Sequence, residues 1–327
     1  MNLSLLEVLA CPSCRASLEV GDVEERTLPD EIESGSLRCT GCSHAYPIFE
    51  GVPRLLPESD DRHAREQESF TFQWRLRSSQ KAEPGQLLWG KDHSKLPYKL
   101  RKEQCRYLDC GSGSGEVIRE IAISNPTVQA VGMDLSDAIR LARRRDKGIA
   151  NLHYVQGDIL SPPFRPNSFQ FILSLGVLHH TCNPKQALRN AVELLERIGL
   201  LSVWLYPNLE DLKEGAGKEE YRKWRRYYFL RDRLFLKRSH YFNLKTLLFL
   251  CKAISLLMTP FCHLLNHDVP DYRHRYLSNT FILFDNLAPA HQFRCPKKEV
   301  ISWFRECGIN KVLHSFDRGG LYTGMKS

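Results

Sequence analysis

A strand that ends on a glycine-rich turn and opens directly into a helix is the feature that most restricts how this chain can fold. Arg106-Tyr107-Leu108-Asp109-Cys110 reads as the strand, Gly111-Ser112-Gly113-Ser114-Gly115 as the turn, and Glu116 to Ser124 continues with Val117, Ile118 and Ile121 at helical spacing. Glycines without Cβ let the backbone come close to a ligand, and the helix N-terminus behind them offers free N–H groups to an anionic group. Strand, loop and helix in this order predict an α/β fold with its ligand at the carboxyl ends of parallel strands. A dinucleotide would suit that context as well.

Two details separate the ligands. The spacing is Gly-x-Gly-x-Gly, not Gly-x-Gly-x-x-Gly, and Asp109 stands two positions before the first glycine; both favour S-adenosylmethionine. Nineteen residues beyond Gly115, Val131-Gly132-Met133 ends at Asp134, a carboxylate suited to both ribose hydroxyls, with Leu135 beside it. The next strand, His153 to Gly157, ends at Asp158, an acceptor for the adenine amino group, followed by Ile159. A fourth strand, Phe169 to Leu175, runs into Gly176-Val177-Leu178-His179-His180.

Taken together, the segments from Tyr107 to Pro207 resemble the class I methyltransferase family, most closely its ubiquinone-biosynthesis-like branch. The resemblance implies a Rossmann-like seven-stranded sheet with one antiparallel edge strand and the cofactor over the first strands. It also implies that Asp109, Gly111, Ser112, Gly113 and Gly115 surround the methionine end, and that Ser174 and Leu175 border the sulfonium. His180 and His179 are candidate general bases, because imidazole titrates near neutrality, although one of such a pair is commonly a packing residue in that family. The usual Pro-Gly-Gly turn before the fifth strand, Leu200 to Tyr206, is replaced by Glu196-Arg197-Ile198-Gly199.

An insertion from about 208 to 296 is expected to carry acceptor specificity. Its first half, Lys218 to His240, interleaves Arg222, Lys223, Arg225 and Arg226 with Tyr221, Trp224 and Tyr227, a pattern open to a solvated helix, nucleic acid or a lipid surface. Its second half, Leu247 to Leu265, is apolar but broken by Lys252, Thr259, Pro260 and His263, which predicts a buried lid helix before an interfacial patch and argues against a membrane span. The segment around Asp285 resembles an Asp-x-x-x-Pro stretch of small-molecule methyltransferases, so Asp285 and His291 are candidates to face the acceptor. A capped helix after Pro296 and a closing hairpin, 311–316 with 321–326, complete the domain.

Near the N-terminus, Cys11-Pro-Ser-Cys14 and Cys39-Thr-Gly-Cys42 are separated by 24 residues, the layout of a closed four-thiolate zinc site. Four thiolates leave no position for water, so the zinc is expected to be structural, and a module this small needs metal for its stability. The following Tyr46-Pro47-Ile48-Phe49-Glu50-Gly51-Val52-Pro53 makes residues 3–57 resemble the zinc-ribbon activator subunit of RNA and protein methyltransferases. The remaining cysteines have no ligand spacing, and Met1 to Ala10 lacks the basic start and long apolar run of a secretion signal, so reduced thiols and a cytoplasmic setting are expected.

The expected organisation is a zinc ribbon at 1–57, a linker with N-terminal helices at 58–104, in which Phe70-Thr71-Phe72-Gln73-Trp74 forms a strand edge, a docking helix or a lid, and the methyltransferase domain at 105–327. With 46 Lys+Arg against 38 Asp+Glu the net charge is +8, which fits an anionic partner without requiring one. The leading expectation is methyl transfer to a small-molecule, glycan or lipid-linked acceptor, with peripheral membrane contact as an added option. An RNA methyltransferase is the rival, and a non-catalytic cofactor-binding module the third reading.

Overall fold

The computed structural model describes residues 1–57, 64–79, 105–215, 221–222, 224–225, 228–229, 242–265, 272–315 and 320–326. Most of the linker and of the basic segment Lys218 to His240 lies outside the described residues.

Residues 106–325 build a seven-stranded sheet. Its strands are β5 (Arg106–Cys110), β6 (Gln129–Asp134), β7 (Leu152–Gly157), β8 (Phe169–Leu175), β9 (Leu195–Leu205), β10 (Val312–Ser315) and β11 (Gly320–Met325). They lie in the order β7-β6-β5-β8-β9-β11-β10. The first strands are buried almost without alternation, as parallel strands covered on both faces must be. The antiparallel strand is not at the edge, as expected, but inside: β11 pairs antiparallel with both β9 and β10, because the closing hairpin inserts its second strand against β9. The fifth strand also begins earlier than expected, at Leu195, with Ile198 at φ 67°.

Helices α2 (Glu116–Ser124), α3 (Ala138–Arg145) and α4 (Pro184–Leu194) connect successive parallel strands, each burying an apolar stripe such as Ile118, Ile121 and Ala122. α4 starts where Asn183 accepts a hydrogen bond from the N–H of Gln186 and Pro184 presets the first turn. α1 (Ala64–Ser79), α5 (Leu209–Gly215), α6 (Leu244–Leu265), α7 (Tyr272–Leu287) and α8 (Lys297–Glu306) stand outside this alternation. The cap of α8 comes from far away in sequence: the Asp211 carboxylate accepts the N–H of Lys297 at 2.7 Å.

The N-terminal module is not a satellite. Its strands β1 (Leu18–Leu28), β2 (Glu31–Cys39), β3 (Ala45–Phe49) and β4 (Val52–Leu55) form an antiparallel meander, and β4 then pairs in parallel with β7. Arg54 stands opposite Gln156 and Leu55 opposite Gly157, and the Arg54 Nε donates to Gln156 Oε1 at 2.7 Å. One continuous eleven-stranded sheet results. Leu5, Leu9, Leu37, Ile48 and Leu55 share a single core cluster with Val131, Val155, Phe164 and Ile172.

Charge complementarity closes the seam. The basic run on and after α3 meets acidic residues of the module: Arg143 pairs with Glu31 at 3.6 Å and Lys147 with Glu33 at 2.6 Å, and Arg106 pairs with Glu7 at 2.7 Å. Glu50 and Gly51 both have positive φ, giving the tight hairpin between β3 and β4, and Arg144 and Arg140 grip the Glu50 carboxylate. Hydrogen bonding from Arg144 outweighs the cost of burial and holds the Glu50 carboxyl down to about 2.

Candidate functional site

The glycine loop is shaped by what packs against it. Gly111, Gly113 and Gly115 all have positive φ, and the N–H groups of Gly111 and Ser112 both donate to the Met133 carbonyl, at 2.7 and 2.9 Å. A Cβ at Gly113 would collide with the Trp74 indole, and one at Gly115 with the Tyr154 ring. Only glycine fits there. Ser112 Oγ is buried with no hydrogen-bond partner and lies over Gly132 of β6, where a Cβ would meet it at 2.9 Å.

Asp134, at the end of β6, is buried and holds the neighbouring loops together. Its Oδ2 accepts the Gly113 N–H at 2.7 Å, while Oδ1 accepts the N–H and the hydroxyl of Ser136, at 2.8 and 2.6 Å. Burial raises its carboxyl and these donors pull it back. A carboxylate has about four acceptor directions, and three of those of Asp134 are taken by these donors. Asp109, buried at the end of β5, is pushed up to about 7 by desolvation first and by the Asp134 charge second. A cationic ammonium is the partner that would return it to the ionised form.

Leu135 is half-buried and its carbonyl accepts from Gln156 Nε2 at 3.1 Å, so it lines the same sheet edge. Asp158 is buried just past β7, with Oδ1 accepting the Leu160 N–H at 2.8 Å. Ile159 is buried, and its carbonyl accepts from Asn190 at 2.8 Å. Ser174 donates its hydroxyl to the Cys110 carbonyl at 3.0 Å, tying β8 to the end of β5, and Leu175 closes β8, half-buried. The expected cofactor residues thus share the carboxyl ends of β5 to β8.

His179 and His180 lie on a 3-10 turn, Leu178–His180, and both are buried. His179 stacks on Tyr206 at 4.1 Å between centroids, and its Nδ1 accepts the Tyr206 N–H at 3.3 Å, an arrangement built for packing. His180 Nδ1 faces the His291 carbonyl at 2.8 Å, which makes that nitrogen the donor and puts the acceptor lone pair on Nε2. Asp285, on α7, accepts from Gln73 Nε2 at 2.6 Å.

The element that joins these residues is α1. Phe70-Thr71-Phe72-Gln73-Trp74 is helical, not a strand edge, and its helix crosses the site. Trp74 covers Gly113, Phe70 meets His180 edge-on at 5.4 Å, Thr71 Oγ1 accepts the Asp137 N–H at 3.1 Å, and Phe72 packs on Phe284 of α7. Its buried stripe is polar: Glu66, Ser69 and Gln73 are each at most 2% exposed. Glu66 Oε1 accepts from the N–H of His291 at 3.1 Å and lies 2.6 Å from its Nδ1. Glu66 escaped the sequence reading because apolar periodicity is blind to a helix that buries carboxylate, hydroxyl and amide on one face; its i, i+3, i+7 spacing from Ser69 and Gln73 was the available signal.

At the other end of the sheet, the Sγ atoms of Cys11, Cys14, Cys39 and Cys42 all lie within 4.8 Å of one another. Cys14 and Cys39 are 3.4 Å apart and Cys11 and Cys42 3.7 Å, close to the ~3.8 Å edge of a tetrahedron with Zn–S bonds of about 2.3 Å. The residues after each pair, Arg15 and Ser43, take positive φ and turn the chain back. The N–H groups of Gly41 and Cys42 point at Cys39 Sγ, at 3.3 and 3.4 Å; burial works against the thiolate, but these donors hold the Cys39 thiol at about 6. The donor set, geometry and polarity fit a structural zinc ion.

A family model described as a methyltransferase domain matches residues 101–243, and one described as a Trm112p-like protein matches residues 2–51. The ubiquinone/menaquinone biosynthesis C-methyltransferase UbiE of Ectopseudomonas mendocina is 34% identical over 103 residues, 30% of this chain and 40% of that protein. The chain therefore spans about 40% of the length of the curated methyltransferase it matches. A UPF0434 protein of Coxiella burnetii is 36% identical over 59 residues, 18% of this chain and 88% of the relative. Among solved structures, the Haloferax volcanii Trm112 methyltransferase activator complex aligns with a TM-score of 0.46 at 13% identity, covering 79% of this chain and 96% of that one.

Proposed function

We propose that the chain, whose residues 101–243 match a methyltransferase-domain model and whose residues 2–51 match a Trm112p-like one, is an S-adenosylmethionine-dependent methyltransferase acting on a small-molecule, glycan or lipid-linked acceptor held beneath α1. The observation that carries this reading is α1 itself. Lying across the glycine loop, the His179–His180 turn and α7, it encloses the carboxyl ends of the strands, which suits a compact acceptor group better than a folded RNA.

S-adenosylmethionine, when bound, supplies an electrophilic methyl group on its sulfonium. The chain's own residues would then bind and align: Asp109 for the methionine ammonium, Ser112 Oγ and the loop N–H groups for its polar end, Asp134 for one ribose hydroxyl and Asp158 for the adenine edge. For proton removal the pair Glu66–His291 is better placed than His179, which is sealed in its aromatic cage. The buried Glu66 carboxylate orients His291 through Nδ1, leaving Nε2 to accept a proton from the acceptor atom. His180 and Asp285 then position the turn and the cover.

The test is to incubate the full-length protein with methyl-labelled S-adenosylmethionine and a cell extract, then separate RNA, protein, lipid and small metabolites. Label in lipid or small metabolites that survives nuclease is the expected result; label in RNA, lost on nuclease treatment, would overturn the acceptor class. With the acceptor found, His291→Asn should lower turnover by about 10²–10⁴-fold and flatten the pH profile of the rate, while Asp285→Asn should not.

A further inference from the structure

α6 packs Leu244, Leu247 and Cys251 against α7 and still leaves a second apolar face in solvent. Its inward stripe carries Leu244, Leu247, Cys251, Ser255 and Thr259, two of them hydroxyl residues: Thr259 Oγ1 donates to the Ser255 carbonyl at 2.6 Å and accepts from Asn279 Nδ2 of α7 at 3.2 Å, while Ser255 Oγ is buried without a hydrogen-bond partner. Its outward face carries the larger apolar side chains. Leu257 is 77% exposed, Phe249 70% and Leu256 58%, with Leu250 and Ile254 at 39% each. An ordinary surface helix buries such residues and shows its hydroxyls to solvent.

Charge says what covers this face. From Leu244 to Leu265 there is no Asp or Glu, and the two lysines, Lys245 and Lys252, are both exposed. Seven residues apart, they fall within about 20° of each other around the helix, along one border of the apolar arc. From that border their alkyl stems can lie on apolar material while the ammonium groups reach an anionic layer. Just before α6, Phe242 is 42% exposed, which extends the apolar face. A second copy of the chain would bring cation against cation, and RNA would leave the leucines without a partner. No helix among the described residues is long and apolar enough to cross a membrane.

We propose that the outer face of α6 docks on the surface of an anionic phospholipid bilayer, lying in the interface plane with Phe249, Leu256 and Leu257 inserted and Lys245 and Lys252 on lipid phosphates. The same end of α6 is tied to the cover of the site: Arg65 of α1 donates to the Phe242 carbonyl at 3.0 Å. Docking would therefore place the covered site at the lipid surface. The inference concerns where the protein sits and holds independently of the acceptor proposed above.

The experiment is co-sedimentation of the full-length protein with phosphatidylcholine vesicles and with phosphatidylcholine–phosphatidylglycerol vesicles at low and moderate salt. Binding is expected to the anionic vesicles and to weaken with salt. Phe249→Glu/Leu257→Glu should lower the partition coefficient at least tenfold, and Lys245→Gln/Lys252→Gln by roughly thirtyfold on anionic vesicles only. All four side chains are exposed, and zinc content with circular dichroism checks that each variant folds. Failure of the wild type to bind either vesicle, or Phe249→Glu/Leu257→Glu binding like wild type, overturns the proposal. So does a dimer in sedimentation equilibrium that this variant dissolves while vesicle binding is absent.

Discussion

Truncating Leu55 to alanine tests whether the zinc module and the methyltransferase sheet unfold together. Leu55 is fully buried, sits opposite Gly157 at the β4–β7 junction, and belongs to a cluster that mixes Leu37 and Ile48 of the module with Val155 and Phe164 beyond it. Leu→Ala changes in cores cost about 2–5 kcal/mol, and strands pinned in a ladder on both sides relax little into a cavity, so about 3 kcal/mol is expected. At about 2 °C per kcal/mol for a large chain, the midpoint should fall by about 6 °C. The assay follows circular dichroism and zinc release to a chromogenic chelator in one thermal scan. Both midpoints should move down together. If zinc release stayed in place while the rest shifted, or if the scan split into two separated steps, the seam would not couple the two parts and the reasoning would be wrong.

Cys39→Ser should reduce zinc from about one ion per chain to near none and lower the melting temperature, as read by metal analysis and calorimetry; unchanged metal content would remove the site. Asp134→Ala should weaken S-adenosylmethionine binding by about 1.5–3 kcal/mol, roughly ten- to hundredfold in titration calorimetry, because the Gly113 and Ser136 bonds and one ligand acceptor are lost at once. Glu50 supplies a pH test. Its carboxyl is held at about 2 against an ordinary 4.5, so the stability it adds is fully present above about 4.5 and is lost as pH falls toward 2. Because the site is partly solvated, that stability is about 1 kcal/mol. The gap in urea midpoint between wild type and Glu50→Gln should shrink by roughly half on going from pH 7 to pH 3, and a constant gap would refute the Arg144 clamp.

The glycine loop, the carboxylates at the strand ends and the cysteine cluster were legible because chemistry dictates residue type there. Gly113 must admit Trp74, Asp134 must end a strand, and four cysteines must fall in two close pairs, so spacing alone announces them. The pairing of β4 with β7 was not legible, since hydrogen bonds between backbones a hundred residues apart leave no mark in composition; only the acidic module and the basic run Arg143-Arg144-Arg145 hinted at it. Two helices depart from the usual rule for placing apolar residues. Reading apolar residues as inward works for α2 and α4, but α1 turns Glu66, Ser69 and Gln73 inward to serve the site, and α6 turns Phe249 and Leu257 outward. The antiparallel strand was misplaced because hairpin order in sequence does not say which of its two strands meets β9.

The β4–β7 junction also changes how this fold responds to dilution. A zipper of that kind formed between separate polypeptides would be occupied in proportion to subunit concentration and would loosen as the protein thinned out. Here both strands belong to one chain, so each meets the other at a local concentration that dilution does not change. That value does not fall when the cell makes few copies, and the stoichiometry of the two parts is fixed at one to one by a single reading frame.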